Sequence, residues 1–224
     1  KGEPTDLLPI WERKKRNNCF TAKPIIRMEN DCIFSPVSMH YVQTSWRSGI
    51  IDWYPPYEIG LENLCGVLKQ WKKRYEDEMV QDIAQLFRDV NFVLVEPEIE
   101  LVYRFPRDDY PENLGDYDVL AISMDRKEIW IIESKVLQKV GSIYEDQMQQ
   151  KNFFFQGKYD EQFQKRIDYM IQNTSKVLDS LGVKKDQFTV IPYMVTNKLF
   201  ASRYKKISFP IISYSELQTL LSSL

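Results

Sequence analysis

The spacing of apolar residues predicts an alternation of helices and strands over the C-terminal two thirds of the chain. Apolar residues recur every three or four positions across residues 61–90, which predicts a helix with a break near Gly66. A strand is expected within residues 91–101. A second helical pattern covers residues 160–181.

Shorter apolar runs predict the remaining strands. Residues 115–135 indicate two strands joined by a polar turn at residues 124–128. The β-branched and aromatic residues of 188–197 and 207–214 predict two more strands. A closing helix follows, with Ser215 as its N-cap. The expected fold class is α/β, with a central mixed β-sheet flanked by helices.

Residues 1–70 differ in character from the rest, and we interpret them as an N-terminal region that is the tail of a preceding domain. Within them, residues 25–34 are typical of a short hairpin with a turn at Glu29–Asp31. A helix is expected after Ser35, starting at Pro36 and stopping at Gly49. Residues 71–224 form the second predicted domain.

Composition restricts the possible functions of the chain more than it restricts its fold. The chain has 224 residues, 43% of them hydrophobic, and a net charge of −2, so charge alone does not indicate a nucleic-acid partner. No apolar run approaches the roughly 18 residues of a membrane span. The three cysteines are far apart in sequence, which favours a reducing compartment and a cytoplasmic location.

The chain has one histidine, His40. A single histidine argues against histidine-rich zinc sites and leaves one candidate for a catalytic triad, in a region without a nucleophile motif. We interpret His40 as an ordinary helix or surface residue. If the protein is an enzyme, we expect its catalytic groups to be carboxylates and lysine.

The predicted hairpin brings ionisable residues together. Alternate strand residues share a face, so Glu133 and Lys135 point the same way. The turn at residues 124–127 places Asp118 close to Glu133. Two adjacent carboxylates repel unless a cation lies between them, and Mg²⁺ prefers such oxygen ligands. The alternative for Glu133 and Lys135 is a structural salt bridge.

The helix at residues 61–90 offers one further carboxylate. At 100° per residue, Glu76 falls on the same face as Met79, Val80 and Ile83, whereas Glu78 falls near the opposite side. Glu76 therefore points to the core side, where it needs a partner. The alternative is that Glu76 lies at an exposed turn.

These residues resemble the motif of the PD-(D/E)xK nuclease superfamily, which has the restriction-endonuclease-like fold. The resemblance covers residues 71–214. It consists of the helix residue Glu76, the sequence GDYD at Gly115–Asp118, and ESK at Glu133–Lys135. The family usually has Gly-Glu-x-Asp, so Asp116 replaces a glutamate and is given a supporting role.

The resemblance implies a role for each matching residue. Asp118 and Glu133 would bind Mg²⁺, for which Mn²⁺ can substitute, together with the Ser134 carbonyl. Lys135 would be the catalytic lysine, and Glu76 a further catalytic carboxylate and metal ligand. The implied activity is hydrolysis of phosphodiester bonds, in DNA rather than RNA, by one domain of a larger defence, repair or restriction protein.

Basic residues near the motif are candidates for phosphate contacts, and they are Lys72, Lys73, Arg74, Lys139, Lys158 and Lys165. Arg166 borders the apolar face of the helix at 160–181, so we expect it to reach towards the site. A solvated helix face is the alternative for these residues. Residues 153–155, all phenylalanine, are interpreted as core rather than as a base-stacking platform. The alternative function is a catalytically inactive module that binds nucleic acid or a protein partner.

Overall fold

The computed structural model describes residues 25–51, 62–99, 114–138, 143–183, 187–200 and 206–224. The chain divides into two compact units between Arg74 and Tyr75, and the second unit consists of Tyr75–Leu137 and Glu145–Leu224. The predicted domain boundary after residue 70 stays a prediction. None of the helices in the described ranges is both long and apolar enough to cross a membrane.

The first unit contains a hairpin followed by a helix. Strands β1 (Ile25–Met28) and β2 (Asp31–Phe34) pair antiparallel, as predicted from the sequence. Helix α1 spans Pro36–Ile51, and its His40 is exposed. The predicted stop at Gly49 is wrong, because a helical glycine costs only about 1 kcal/mol relative to alanine and does not end a helix by itself.

Helix α2 spans Glu62–Asp89 without interruption, so the predicted break near Gly66 is wrong for the same reason. Its predicted apolar face is buried in the second unit. Met79, Val80 and Ile83 are all at most 7% exposed. Helical periodicity therefore identified the correct face of α2.

The second unit is built on a five-stranded mixed sheet. Its strands are β3 (Leu94–Ile99), β4 (Tyr117–Ser123), β5 (Glu128–Lys135), β6 (Thr189–Thr196) and β7 (Ile211–Ser213). They lie in sequence order across the sheet. The pairs β3–β4 and β4–β5 are antiparallel, whereas β5–β6 and β6–β7 are parallel. The predicted α/β class with a central mixed sheet flanked by helices is confirmed.

Further helices follow β5 in the chain. Helix α3 (Ile143–Lys151) continues into a π-helical segment at Asn152–Gln156. Helix α4 (Tyr159–Ser180) connects the sheet strands β5 and β6, within one residue of the predicted bounds. Such a connection is required because parallel neighbours need a crossover.

Helix α5 (Tyr214–Ser222) closes the chain. Its N-cap is Ser213, not the predicted Ser215. The Ser213 hydroxyl accepts a hydrogen bond from the Glu216 amide, and the Glu216 carboxylate accepts one from the Ser213 amide. Such a pair needs a glutamate or glutamine three residues after the cap; Ser215 also has one, Gln218, but the structure forms the pair between Ser213 and Glu216.

The two sheet faces bury separate apolar clusters. One face carries Ile129 and Ile131 and packs against residues of α4, including Phe163 and Met170. The other face packs against α2, and its cluster contains Val119, Trp130, Ile132, Ile83 and Phe87. The alternation predicted for β5 is therefore confirmed, and Glu133 and Lys135 emerge on the α4 face.

Candidate functional site

The register of the β4–β5 hairpin brings Asp118 and Glu133 together. Val119 pairs with Ile132, so the next position along the ladder sets Asp118 opposite Glu133. The Ser134 amide donates a hydrogen bond to Asp118 Oδ2 at 2.6 Å. Asp118 is half-buried and Glu133 is 3% exposed. Two carboxylates therefore lie side by side, largely removed from water.

Glu133 is held between two cations. Its Oε1 lies 2.7 Å from Lys135 Nζ, and its Oε2 lies 2.6 Å from Arg166 Nη2. Both Glu133 and Arg166 have side chains that are at least nine-tenths buried. A buried carboxylate without such partners would be very costly, so these ion pairs explain why Glu133 is tolerated at the edge of the core.

Arg166 reaches the site from the first half of α4, as expected from its place on the helix. Its Nη1 also donates a hydrogen bond to the backbone carbonyl of Asp116. The Tyr117 hydroxyl donates in turn to the Arg166 carbonyl at 2.7 Å. Gly115 has a φ of +67°, a left-handed conformation that glycine adopts without strain. Asp116 and Tyr117 thus bind α4 through both the side chain and the backbone of Arg166.

The electrostatic environment changes the proton affinity of two groups. Burial, followed by the nearby Glu133 carboxylate, raises the pKa of Asp118 from 3.8 to about 7, although Lys135, the Ser134 amide and Arg166 oppose the shift. For Lys135, burial lowers the pKa, but the charges of Glu133 and Asp118 outweigh it and raise the pKa overall. Lys135 is therefore a cation at neutral pH.

Two aromatic residues contribute contacts that the sequence pattern did not single out. Tyr117 binds the Arg166 carbonyl, and the Tyr159 ring lies under Lys135 Nζ, with 5.3 Å between Nζ and the ring centroid. Tyr117 was visible as the aromatic residue of the GDYD motif. No sequence pattern identified Tyr159, because its contact with Lys135 depends on the backbone path just before α4.

The predicted acidic residues do not all converge. Within the ranges that the structure describes, no three His, Cys, Asp or Glu side chains lie close enough to hold a metal ion. Glu76 therefore does not join Asp118 and Glu133 in a three-acid cluster. It is partly buried on α2, whose apolar residues pack on the opposite sheet face from Glu133. Its catalytic role stays a prediction.

Asp116 and Ser134 act through their backbones in the described contacts. The carbonyl of Asp116 accepts from Arg166, while its side chain is exposed. Ser134 donates its amide to Asp118. The predicted role of the Ser134 carbonyl as a metal ligand stays a prediction.

The predicted phosphate-binding residues lie in different parts of the chain. Lys158 and Lys165 are exposed at and near the start of α4, and Lys158 Nζ lies 3.9 Å from Glu161. Lys72, Lys73 and Arg74 lie on α2, in the first unit. Lys139 is outside the described residues. None of these observations tests nucleic-acid binding.

The phenylalanines at 153–155 were predicted to be core. Phe153 and Phe154 are at most 3% exposed and belong to the cluster on the α4 face. Phe155 is 55% exposed. The interpretation as core is therefore correct for two of the three residues.

Comparisons with known proteins identified no relative: no protein family, no curated protein and no solved structure matched the chain.

Proposed function

We propose that this chain is a metal-dependent nuclease that hydrolyses phosphodiester bonds, in DNA rather than RNA. The observation that carries the proposal is the juxtaposition of Asp118, Glu133 and Lys135 at one end of the β4–β5 hairpin. Two carboxylates and a lysine in this arrangement are what the resemblance to the PD-(D/E)xK superfamily requires. The restriction-endonuclease-like core and the membership of a larger defence, repair or restriction protein belong to the same proposal.

The residues fit a divalent cation in their donor chemistry. Asp118 Oδ1 accepts no hydrogen bond from the described residues, and Oδ2 accepts one, from Ser134. Glu133 Oε2 is buried and, apart from its ion pair with Arg166, accepts no hydrogen bond within the described part of the chain. Burial and the nearby Glu133 carboxylate raise the pKa of Asp118, and a bound cation would oppose this shift by stabilising the ionised carboxylate. Oxygen donors of this kind suit Mg²⁺, with Mn²⁺ as a substitute.

Each side chain has a distinct role in the proposed reaction. Asp118 and Glu133 would hold the cation, together with the Ser134 carbonyl, whereas Glu76 lies on the helix that packs against the opposite sheet face. A bound Mg²⁺ would polarise the scissile phosphate and lower the pKa of the attacking water. Lys135, charged at neutral pH, orients that water and stabilises the negative charge that develops on the phosphate.

Arg166 supports this arrangement from α4. Its ion pair with Glu133 at 2.6 Å and its hydrogen bond to Asp116 fix the position of the Glu133 carboxylate relative to β4. Lys158 and Lys165, both exposed, extend the positive charge along the same helix. Contacts of these lysines to phosphates would give binding that does not depend on sequence and that weakens with salt.

The test is cleavage of supercoiled and linear plasmid and of an RNA of similar length, with Mg²⁺, Mn²⁺ or EDTA. The matched variants are Asp118→Asn and Asp125→Asn, the second of which changes an exposed carboxylate in the β4–β5 turn. We expect metal-dependent cleavage of DNA that Asp118→Asn abolishes and Asp125→Asn retains. Absence of cleavage by the folded wild-type chain with every substrate and metal would contradict the proposal.

One observation favours a second function, a catalytically inactive module that binds nucleic acid or a protein. Both oxygens of Glu133 are paired with Lys135 and Arg166, so the charge of this carboxylate is compensated without a metal ion. This alternative predicts nucleic-acid binding that persists in EDTA and in Asp118→Asn, without any cleavage. Fluorescence anisotropy with labelled single- and double-stranded DNA separates the two functions.

A further inference from the structure

We infer that Tyr159 is a positioning residue for Lys135: its ring holds the Lys135 ammonium group in place beside Glu133. This inference rests on the proposed nuclease function for its catalytic meaning, although the contact itself is independent of that function. Lys135 Nζ lies 5.3 Å from the centroid of the Tyr159 ring and 2.7 Å from Glu133 Oε1. The ring face attracts the ammonium group through its quadrupole.

Lys135 needs such a second contact, because a single ion pair does not fix a lysine. Its side chain is flexible, is 27% exposed, and lies at the end of β5. Nζ forms an ion pair with Glu133 and is attracted by the charge of Asp118, which lies beside Glu133. A ring face on another side restricts the remaining freedom, so that Nζ keeps one position relative to Asp118 and Glu133.

The Tyr159 ring is itself fixed by its neighbours. Its centroid lies 5.4 Å from that of Phe153, which is buried, and the two rings meet edge to face at 68°. Phe153 contacts Phe154 and Phe200 in turn. The ring beneath Lys135 is therefore anchored to the core on the α4 face.

The backbone before α4 is shaped to accept this ring. A Cβ atom on Gly157 would lie 2.6 Å from Tyr159 Cε2 and 2.9 Å from the Asn152 carbonyl, so no larger residue fits there without displacing the ring. The π-helical segment Asn152–Gln156 precedes Gly157, and Lys158 follows with a left-handed φ of 50°. Left-handed backbone at a lysine is uncommon and strained. These features together bring Tyr159 to the end of β5.

A direct substrate role for the ring is less consistent with these contacts. Lys135 lies over the Tyr159 ring, and the ring borders the Gly157 backbone and the Phe153 ring. Tyr159 is 37% exposed, but a nucleobase stacked on the ring face that Lys135 occupies would have to displace the ammonium group. Positioning of Lys135 is therefore the role that the geometry supports.

The first test of this inference uses NMR on chains labelled at the lysine ε-carbons, with the Lys135 signal assigned by its loss in Lys135→Arg. A ring over the ammonium group shifts the Lys135 ε-methylene protons upfield. We expect this shift in the wild type and in Tyr159→Phe, and its loss in Tyr159→Leu. Phe155→Leu, which removes an exposed ring from the same segment, is the matched control and retains the shift.

The second test uses kinetics of plasmid cleavage by the same variants. If Tyr159 positions Lys135, Tyr159→Leu lowers kcat roughly 2- to 30-fold with KM unchanged, and Tyr159→Phe restores the rate. Should Tyr159→Leu not fold, as judged by circular dichroism, Tyr159→Met provides a longer side chain to fill the space.

The outcomes separate this inference from the proposed function. Lys135 signals that are identical in the wild type and Tyr159→Leu overturn the inference, whatever the activity. A rise in KM with unchanged kcat also overturns it and indicates substrate stacking. A wild-type chain that shows the upfield shift but cleaves nothing supports the contact and contradicts only the nuclease function.

Discussion

The two faces of the central sheet are equally well buried but differ in chemistry. The α2 face carries an apolar cluster in which Trp130 and Ile132 are at most 3% exposed. The α4 face is apolar near Ile129 and Ile131 but ends in Asp118, Glu133 and Lys135. Burial of apolar surface alone accounts for the first face. The charged end of the second requires another explanation.

The charged residues on the α4 face are not explained by a gain in stability. A buried ion pair is often no more stabilising than apolar residues of similar volume. Glu133 is buried between Lys135 and Arg166. A hydrophobic residue at this position would therefore stabilise the fold about as much. Such residues persist where chemistry needs them, and perturbed pKa values cluster at functional sites. If this is so, substitutions at the charged end of the α4 face change activity, whereas substitutions on the α2 face change stability alone.

The largest expected effect is on activity. Lys135→Met removes the ammonium group at the charged end, and we expect plasmid cleavage to fall at least 100-fold, the order of loss seen when a single stabilising group is removed from an active site. The melting temperature is expected to fall as well, because the buried Glu133 loses one of its two cationic partners, so the rate is measured below the unfolding transition. The measurement is initial cleavage rate beside thermal unfolding.

The corresponding control is Lys165→Met, an exposed position on α4. It is expected to retain the wild-type cleavage rate at low salt to within a few fold. An equal loss of activity in both variants would show that positive charge in general, not Lys135 in particular, supports cleavage.

The next effect is on stability. Arg166→Met removes one of the two cations that neutralise the buried Glu133, and we expect the free energy of unfolding to fall by about 3 kcal/mol. The loss lies at the low end for a broken buried pair, because Lys135 remains bound to Glu133. Denaturant unfolding measures it.

The double variant Arg166→Met with Glu133→Gln sharpens this result. Removing the uncompensated charge is expected to recover part of the lost stability. If the double variant is less stable than Arg166→Met by the full effect of Glu133→Gln, then the ion pair is not what holds these residues together.

A pH dependence follows from the raised pKa of Asp118. Because the pKa in the folded chain is about 7 rather than 3.8, the folded state binds the proton more tightly than the unfolded state. The contribution of Asp118 to stability is therefore complete below about pH 4 and is lost as the pH rises through about 7. Unfolding without metal, from pH 4 to 8, measures this loss as the difference between the wild type and Asp118→Asn.

The sign of the difference in unfolding free energy between the wild type and Asp118→Asn decides the protonation state of Asp118. We expect the wild type to lose stability relative to Asp118→Asn as the pH rises, and Mg²⁺ to reduce the loss by compensating the carboxylate charge. A wild type that instead gains stability relative to Asp118→Asn over this range would show that Asp118 is ionised and well paired in the folded chain.

The smallest effect concerns the apolar face. Ile132→Val removes one methylene from the fully buried side chain that faces α2, and we expect a loss of about 1 kcal/mol with cleavage unchanged. Ile131→Val, its equally buried neighbour on the α4 face, is the matched control for stability. A loss of activity in Ile132→Val comparable to that of Lys135→Met would contradict the separation of the two faces.

Much of this fold could be predicted from the sequence, because periodicity reports burial directly. The alternation along residues 128–135 and the helical stripe of α2 each assigned the correct side chains to a face. The polar turn at residues 124–127 fixed the hairpin, and with it the proximity of Asp118 and Glu133. These features depend on neighbours in sequence.

Helix ends were predicted less well. The expected effects of Gly49 and Gly66 were overestimated, because each glycine costs little compared with the helix around it. The cap of α5 was misplaced by two residues, since the choice between Ser213 and Ser215 depends on which one can pair with Glu216. Local preferences are too small to decide such competitions alone.

The contacts of α4 with the charged end could be predicted only in part. The helical stripe indicated that Arg166 reaches towards the site, but not that it binds both Glu133 and the Asp116 carbonyl. The contact of Tyr159 with Lys135 depends on the π-helical segment and on left-handed Lys158. No short-range sequence rule predicts that combination.

The proposed nuclease function depends on a divalent cation bound at the charged end of the α4 face. The most direct measurement is calorimetric titration of Mn²⁺ and Mg²⁺ into the metal-free chain, with Asp118→Asn beside the turn variant Asp125→Asn. We expect a saturable site in the wild type and in Asp125→Asn that Asp118→Asn loses. Equal binding in all three chains, or no binding in the wild type, would contradict this expectation.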